Sequence, residues 1–266
     1  MLLVALALAC SSAPAEPAPP RPQTPVPVAL PAAPPQLDCL AQRYGGVAVN
    51  GPAGWSLALP DGPSLVWDDG RPKDADARIA DPDLQDTLVP AYPTGALGPV
   101  TDPAEDPGRA RVEALFDAVY GASADAVQAA LVPVRFVGQE VRVHRAVADP
   151  VRRVSARLEE AISADPTLAR FVTGVLGGTF NWRVVANTGR RSAHSWGVAL
   201  DIVVAHTSYW EWDRAAGRPV TWTNQIPAAV VRAFEAEGFV WGGRWYHYDT
   251  MHFEYRPELH DPACRG

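Results

Sequence analysis

Two short stretches of the chain carry residues whose side chains can meet at one point. The first stretch contains His194 and Asp201, and the second, about fifty residues later, contains His252. Alternating residues over 198–204 predict a strand with Asp201 opposite its aliphatic row, and His194 precedes that strand in a polar, turn-prone loop. If a strand around His252 pairs with this one, two imidazoles and one carboxylate come together.

Two imidazole nitrogens and one carboxylate oxygen, with a fourth position for water, are the ligands of a catalytic zinc site. Structural zinc sites are usually closed by four protein ligands and are rich in cysteine. Zinc lowers the pKa of bound water to about 7 and polarises a carbonyl, but a carboxylate is still needed to move protons. Asp249, three residues before His252, is the candidate general base. The pattern predicts one Zn²⁺ per chain, bound by His194, Asp201 and His252.

The two stretches resemble a known family. The pattern S-x-H-S-x-G-x-A-x-D at 192–201 and the run WYHYDTMHFEYRPEL at 245–259 are similar to those of the zinc D-alanyl-D-alanine carboxypeptidase and L-alanyl-D-glutamate endopeptidase family. Lysostaphin-type peptidases and the hedgehog signalling domain belong to the same wider group. The resemblance implies the same zinc ligands and the same base. The sequence departs from many members in having Met251 directly before His252, where they have His-x-His, and in having the shorter Asp249 where a glutamate is common.

The resemblance covers roughly residues 145–260. It implies an α+β fold in which a small antiparallel sheet carries the zinc site and helices flank it. It also implies a zinc-dependent peptidase that hydrolyses the peptide part of peptidoglycan, as a D-Ala-D-Ala carboxypeptidase or as an endopeptidase. The alternative is a non-catalytic, zinc-containing module that binds the cell wall or a protein. The carboxylate of Asp249 argues against that alternative, because a purely structural zinc requires no base.

Further side chains are candidates for substrate contacts. Arg183 resembles the arginine that lies beside the metal in related peptidases, and its rigid guanidinium suits a carboxylate or an oxyanion; the alternative is a surface salt bridge. His247 is ranked as an auxiliary catalytic residue first, then as structural, then as a ligand. Ser192, Trp210 and Trp212 are the other substrate-binding candidates, since exposed aromatic rings suit the sugar and peptide faces of a cell-wall polymer.

Other elements have to hold these residues in place. Apolar positions and cap signals predict three helices: one over 107–120, one from 149 onward, and one that starts at Pro227 and ends just before Gly238. A hairpin is predicted from strands 134–136 and 141–143, joined through Gly138-Gln139. Residues 40–101 are rich in Gly, Pro and Asp and predict small strands and loops. We expect Arg190 and Arg191 to be exposed loop charges.

The start of the chain predicts export. Met1 to Ala9 is apolar and is followed by Cys10, which resembles a bacterial lipoprotein signal cleaved before a lipidated cysteine, although the run is short and lacks a basic residue. An ordinary cleaved signal or a frayed terminus is the alternative. Residues 11–38 are proline-rich and predict an extended tether. This organisation predicts a membrane-anchored lipoprotein of the bacterial cell envelope, in the periplasm or on the outer surface.

Residues 39–266 are predicted to form a single zinc peptidase domain, with an N-terminal wrapping part over 39–145 and a catalytic core over 146–260. Cys39 and Cys264 lie near its two ends, and in an exported protein we expect them to form a disulfide, with two free thiols as the alternative. The net charge of −7 and the absence of a basic run exclude nucleic acid as a partner. The expected partners are peptidoglycan stem peptides and, through the N-terminal lipid, a membrane.

Overall fold

The computed structural model describes residues 32–186 and 188–265. Its helices are α1 Pro35–Tyr44, α2 Ala75–Ala80, α3 Glu113–Tyr120, α4 Ala124–Ala130, α5 Ala148–Ala164, α6 Ala169–Val172, α7 Trp210–Ala215 and α8 Ala228–Glu235. Its strands are β1 Val47–Gly51, β2 Gly54–Ala58, β3 Ser64–Val66, β4 Leu131–Phe136, β5 Gln139–His144, β6 Leu176–Gly178, β7 Ala199–Val203, β8 Phe239–Trp241 and β9 His252–Tyr255. The expected α+β class, with small antiparallel sheets, is confirmed.

The sheet that carries both motifs has four strands in the order β6-β7-β9-β8. Each neighbouring pair is antiparallel, and β7 pairs with β9 so that Asp201 lies opposite His252. The strand pairing on which the predicted convergence depended is therefore present. The other two sheets are the three-stranded β1-β2-β3 and the hairpin β4-β5.

Helices pack behind the four-stranded sheet. In α8, Phe234 is fully buried, and its ring stacks on Phe253 of β9 with a centroid distance of 3.8 Å. The long helix α5 buries Val151, Val154 and Leu158 in the same core. Burial of these side chains fixes the back of the sheet. The opposite face, with Asp201 and His252, is left for the site.

The two ends of the domain are joined. Cys39 in α1 forms a disulfide with Cys264, as expected, and the hydroxyl of Tyr44 donates to Glu258 at 2.8 Å. The predicted tether extended to residue 38, but α1 begins at Pro35, a residue well suited to the first helical turn, and Leu37 is fully buried. The predicted signal, Cys10 and most of the tether lie outside the described residues.

Two local predictions were wrong in detail. The hairpin turn is Val137-Gly138, not Gly138-Gln139, because Phe136 pairs with Gln139 and both turn residues have positive φ, as a two-residue turn of this kind requires. The helix expected from residue 107 begins only at Glu113. From Ala33 onward the contacts form one compact unit, and none of the described helices is long and apolar enough to span a membrane.

Candidate active site

The side chains of His194, Asp201 and His252 converge on one point. His194 lies in a short 3-10 helix, Ala193–Trp196, while Asp201 and His252 are opposite each other on β7 and β9. Nε2 of His194 is 3.1 Å from Oδ1 of Asp201 and 3.2 Å from Nδ1 of His252. Nδ1 of His252 is 3.0 Å from the same carboxylate oxygen. Three potential ligand atoms thus form a nearly equilateral triangle.

The triangle fits a tetrahedral zinc ion. Metal–ligand bonds of about 2.0–2.1 Å at tetrahedral angles place neighbouring ligand atoms about 3.3 Å apart, close to the distances observed here. Two nitrogens and one oxygen are ligands that zinc accepts, and three protein ligands leave one position open. The donor set and its spacing therefore suit a catalytic zinc better than a closed structural site.

The outer nitrogen of each histidine faces a hydrogen-bond acceptor. Nδ1 of His194 is 3.2 Å from the carbonyl oxygen of Thr179, and Nε2 of His252 is 3.4 Å from Oε2 of Glu254. A neutral imidazole that donates its proton outward keeps a lone pair on the inner nitrogen. Metal-binding histidines are usually oriented in this way, so the surroundings select the tautomer that a metal needs.

The spacing of the first motif has a local explanation. Ser192 caps the short helix by accepting a hydrogen bond from the backbone N–H of His194. Gly197 ends it with φ of 65°, and a Cβ at this position would lie 2.7 Å from Leu131 and 3.2 Å from the backbone nitrogen of His144. The cap and the close approach together hold His194 against β7. Ser192, a substrate-binding candidate, is buried, but it also lines the cavity in front of the ligands.

Glu254 is a supporting residue that connects His252 to two arginines. It is fully buried; its Oε2 is 2.8 Å from Nη1 of Arg111, and its Oε1 is 3.7 Å from Nη1 of Arg256. Burial opposes its charge, but the charge of Arg111, the hydrogen bond to His252 and the charge of Arg256 lower the pKa of Glu254 to about 2. A carboxylate that stays ionised can hold the His252 ring in place.

The site favours positive charge. Burial works against protonation of His252, yet the hydrogen bonds to Asp201 and Glu254 and the charges of Asp201 and Asp249 raise the pKa of His252 to about 10. The same negative surroundings that favour a proton also favour a metal cation, which competes with protons for these ligands.

Asp249 provides a carboxylate beside the triangle. Its Oδ1 is buried and has no hydrogen-bond partner among the described residues, and the side chain lines the same cavity as the three ligands. Burial and the neighbouring charge of Asp201 raise the pKa of Asp249 to about 6. An unpaired carboxylate oxygen at this position is free to accept a proton from a reacting group.

The cavity in front of the ligands has a volume of about 330 Å³. The sequence-predicted residues Arg183, Trp210 and Trp212 all line it, together with Asp249 and His247. Trp212 is 45% exposed, and Arg183 is exposed as well. The structure therefore brings every candidate substrate-contact residue of the sequence to one cleft. A second, larger cavity of about 910 Å³ adjoins it and shares part of its wall.

The central part of this site matches a known family. A sequence model of a family described as D-alanyl-D-alanine carboxypeptidase matches residues 186–255. Residues 186–255 belong to the D-alanyl-D-alanine carboxypeptidase family. This carboxypeptidase-family segment contains the whole triangle and Asp249, and the resemblance stated from the motifs is confirmed. At the level of the family, this match supports a peptidase that acts on peptidoglycan. A search of curated proteins found no match for the chain.

His247, also in the carboxypeptidase-family segment, is held by a residue outside it. Its Nδ1 is 2.6 Å from Oδ2 of Asp106, and its backbone N–H donates to Oδ1 at 3.0 Å. Its ring lies edge-on to Trp210, with centroids 4.6 Å apart. Among the described residues it is not one of the converging ligand atoms. This arrangement fits the first-ranked role, an auxiliary residue in the cleft, better than a role as ligand.

The prediction that Arg190 and Arg191 are exposed loop charges was wrong. The guanidinium of Arg191 pairs with Glu113 at 2.8 Å and with Asp117 at 2.6 Å, and it lies over Trp196 at 4.8 Å. It ties the start of the carboxypeptidase-family segment to α3. Arg190 is half-buried and lines both cavities. Burial and the charges of nearby arginines lower the pKa of Arg190 to about 10.

Sequence reasoning did not identify several residues that support the site. Glu254 lies two residues after His252, and the period of two along a strand is a signal that the two side chains share a face. Arg111 and Asp106 have no comparable signal, because each reaches the carboxypeptidase-family segment from a distant part of the chain. Thr179 is only fifteen residues before His194, but it contributes its backbone carbonyl, which no side-chain pattern marks.

Proposed function

We propose that the protein is a zinc-dependent peptidase that hydrolyses the peptide part of peptidoglycan, as a D-Ala-D-Ala carboxypeptidase or as an endopeptidase. One observation carries the proposal: a triangle of two histidines and one aspartate lies in an open cleft, beside a carboxylate oxygen of Asp249 that has no hydrogen-bond partner in the described part of the chain. A structural metal site has no use for such a carboxylate. The competing reading, a binding module, leaves Asp249 without a role.

His194, Asp201 and His252 would hold the metal. Zinc, when bound, lowers the pKa of water and polarises the scissile carbonyl. Asp249 takes the proton of the attacking water and returns it to the leaving amine. Because its Oδ1 is not engaged by another described side chain, the carboxylate needs no rearrangement before it accepts that proton.

Other side chains of the cleft position the substrate. Arg183 presents a guanidinium to the cavity, where it stabilises a carboxylate or the developing oxyanion. Nδ1 of His247 is held by Asp106, and this contact fixes the orientation of the ring and of its Nε2. Trp210 and Trp212 form a wall against which the peptide and sugar faces of the polymer pack.

The disulfide supports export, since such bonds persist in oxidising compartments. We propose that the protein acts in the bacterial cell envelope, attached to a membrane through a lipid on Cys10, with peptidoglycan stem peptides as its partners. Labelling of the cells with a radioactive fatty acid tests the anchor: the label should appear in the wild-type protein and be absent after Cys10→Ser.

The test of the activity is cleavage of peptidoglycan fragments of known sequence, with zinc and with a zinc chelator, followed by mass spectrometry. We expect zinc-dependent release of D-Ala or of a shorter stem peptide. Asp249→Asn, which keeps the shape of the side chain, should lower the rate about 100-fold to 10,000-fold. Asp125→Asn is the matched control, because Asp125 is exposed on α4 and away from the cleft. Stoichiometric zinc binding without cleavage of any fragment would favour the binding module.

A further inference from the structure

Three arginines lie where the two cavities meet. Arg109, Arg111 and Arg190 each line both the cavity in front of the ligands and the larger cavity beside it. Arg109 and Arg111 come from the irregular segment before α3, whereas Arg190 comes from the loop before His194. Two separate parts of the chain therefore bring positive charge to the same wall.

The three guanidinium groups are not equally paired. Nη1 of Arg109 is 2.6 Å from Oδ2 of Asp106, and Nη1 of Arg111 is 2.8 Å from Oε2 of Glu254. The guanidinium of Arg190 is half-buried, and within 32–186 and 188–265 no side chain forms a hydrogen bond or an ion pair with it. A charge that is partly removed from water without a partner is costly, and like charges beside it add to that cost.

The acidic residues that line the larger cavity do not pair with Arg190. Asp81, Glu113 and Glu211 line this cavity, but each is already engaged by another arginine. Asp76 is exposed on α2 at the wall of the same cavity. The wall between the cavities consequently offers an anion a half-buried guanidinium whose hydrogen-bond donors are not used by the described residues.

We propose that Arg190, flanked by Arg109 and Arg111, binds a substrate carboxylate that lies away from the scissile bond. The inference rests on the proposed function and deepens it, because it names acidic peptides as the preferred substrates. A planar guanidinium matches a carboxylate with two parallel hydrogen bonds. The zinc-ligand candidates line only the smaller cavity, whereas Arg190 also lines the larger one. A peptide bound at the triangle and extending into the larger cavity passes this arginine.

Arg183 has a different position. It is exposed and lines the smaller cavity alone. Arg183 is thus suited to the reacting end of the substrate, and Arg190 to a second, more distant acidic group.

The experiment compares peptide fragments that differ in one charge. In each fragment, one carboxylate other than that of the released residue is amidated in turn, and kcat/KM is measured beside the unmodified fragment. Binding of the same fragments to the zinc-loaded Asp249→Asn variant is measured by calorimetry, which requires no cleavage. At one carboxylate we expect amidation to weaken both quantities about tenfold to a hundredfold, as for a lost hydrogen bond to a charged group.

Variants assign the effect to the residue. Arg190→Met should abolish the preference for the acidic fragment. Arg190→Lys keeps the charge but cannot form the two parallel hydrogen bonds of a guanidinium, so it should retain part of the preference. Arg214→Met is the matched control: Arg214 lines the same larger cavity but pairs with Glu211 at 2.6 Å, so the preference should remain.

Equal binding of acidic and amidated fragments by the Arg190-containing protein overturns the inference, and so does a preference that survives Arg190→Met. These results differ from a failure of the proposed function. If no fragment is cleaved, the function is wrong, and the calorimetric comparison still decides whether Arg190 recognises a carboxylate.

Discussion

Replacing Glu254 with glutamine should lower both the affinity for zinc and the free energy of unfolding. The amide keeps the shape of the side chain but removes the charge that lies 3.4 Å from Nε2 of His252 and 2.8 Å from Nη1 of Arg111. Loss of a residue that supports a metal ligand typically lowers metal affinity 10-fold to 100-fold, which is about 1.4–2.7 kcal/mol. Leaving a buried partner unpaired costs about 3–5 kcal/mol of unfolding free energy. We expect the lower end, because the amide oxygen still accepts one hydrogen bond from Arg111.

The two effects can be separated by removing the unpaired charge. In the double variant Arg111→Met with Glu254→Gln, the unfolding free energy should recover, because no guanidinium is left without a counter-charge. Zinc affinity should stay low, because the carboxylate that orients His252 is still missing. Competition with a chromophoric chelator measures the affinity, and urea unfolding of the chelator-treated protein measures the stability.

Glu258→Gln is the matched control for this experiment. Glu258 is 2% exposed, and its Oε1 lies 2.5 Å from Nε of Arg256, in the same buried network, but it does not contact His252. Its variant should lose stability and keep its zinc affinity. If Glu254→Gln also kept its zinc affinity while losing stability, Glu254 would support only the fold, and the reasoning about the His252 ring would be refuted.

Three further predictions concern stability. Replacing Cys39 and Cys264 with alanine should lower the unfolding free energy by about 2–5 kcal/mol; a wild-type midpoint unaffected by reductant in urea unfolding would contradict this. Lys73→Met should cost about 3–5 kcal/mol, because the Lys73 side chain is 6% exposed and its Nζ lies within 3.1 Å of three aspartates; an unchanged urea midpoint would be evidence against it. Burial opposes the charge of Asp106, but the hydrogen bond from His247 and a neighbouring arginine lower its pKa overall. The stability that Asp106 contributes is then present above its unfolded pKa of about 3.9 and is lost as the pH falls through its lower folded pKa. The difference in unfolding free energy between the wild type and Asp106→Asn should therefore shrink on acidification from pH 5, and a difference that stays constant down to pH 2 would contradict the assignment.

The centre of the site was predictable because its information is local. A period of two in each stretch put Asp201 and His252 on the strand faces that meet, and the observed register places them opposite each other. The turn residues before β7 put His194 within reach of both. Each of these steps depends on residues within about ten positions of one another, where backbone geometry limits the alternatives. The pairing of the two strands, which joins Asp201 to His252, was a condition of the prediction and not a result of the local pattern.

The surroundings of the site were not predictable, because tertiary contacts override a local signal there. Asp106-Pro107 is a reasonable start for a helix, yet residues 107–108 form a turn and residues 109–112 stay irregular up to α3. The carbonyl of Pro107 accepts from Nε1 of Trp245 at 2.6 Å, and the carbonyl of Gly108 accepts from Nη1 of Arg256 at 2.7 Å. Those carbonyls accept hydrogen bonds from side chains more than a hundred residues away. No pattern within residues 106–112 predicts such partners.

Residues 106–112 contribute the part of the site that lies outside the family-matched residues. The triangle and Asp249 lie within the family-matched residues, whereas the charges that hold Glu254 and His247 come from Arg111 and Asp106. Two of the three arginines on the wall between the cavities come from this same segment. Under the proposed function, changes in its sequence would alter which acidic groups the cleft accepts and leave the candidate metal ligands unchanged. Changes at Arg111 are the exception, because this one side chain serves both the His252 support and the anion wall.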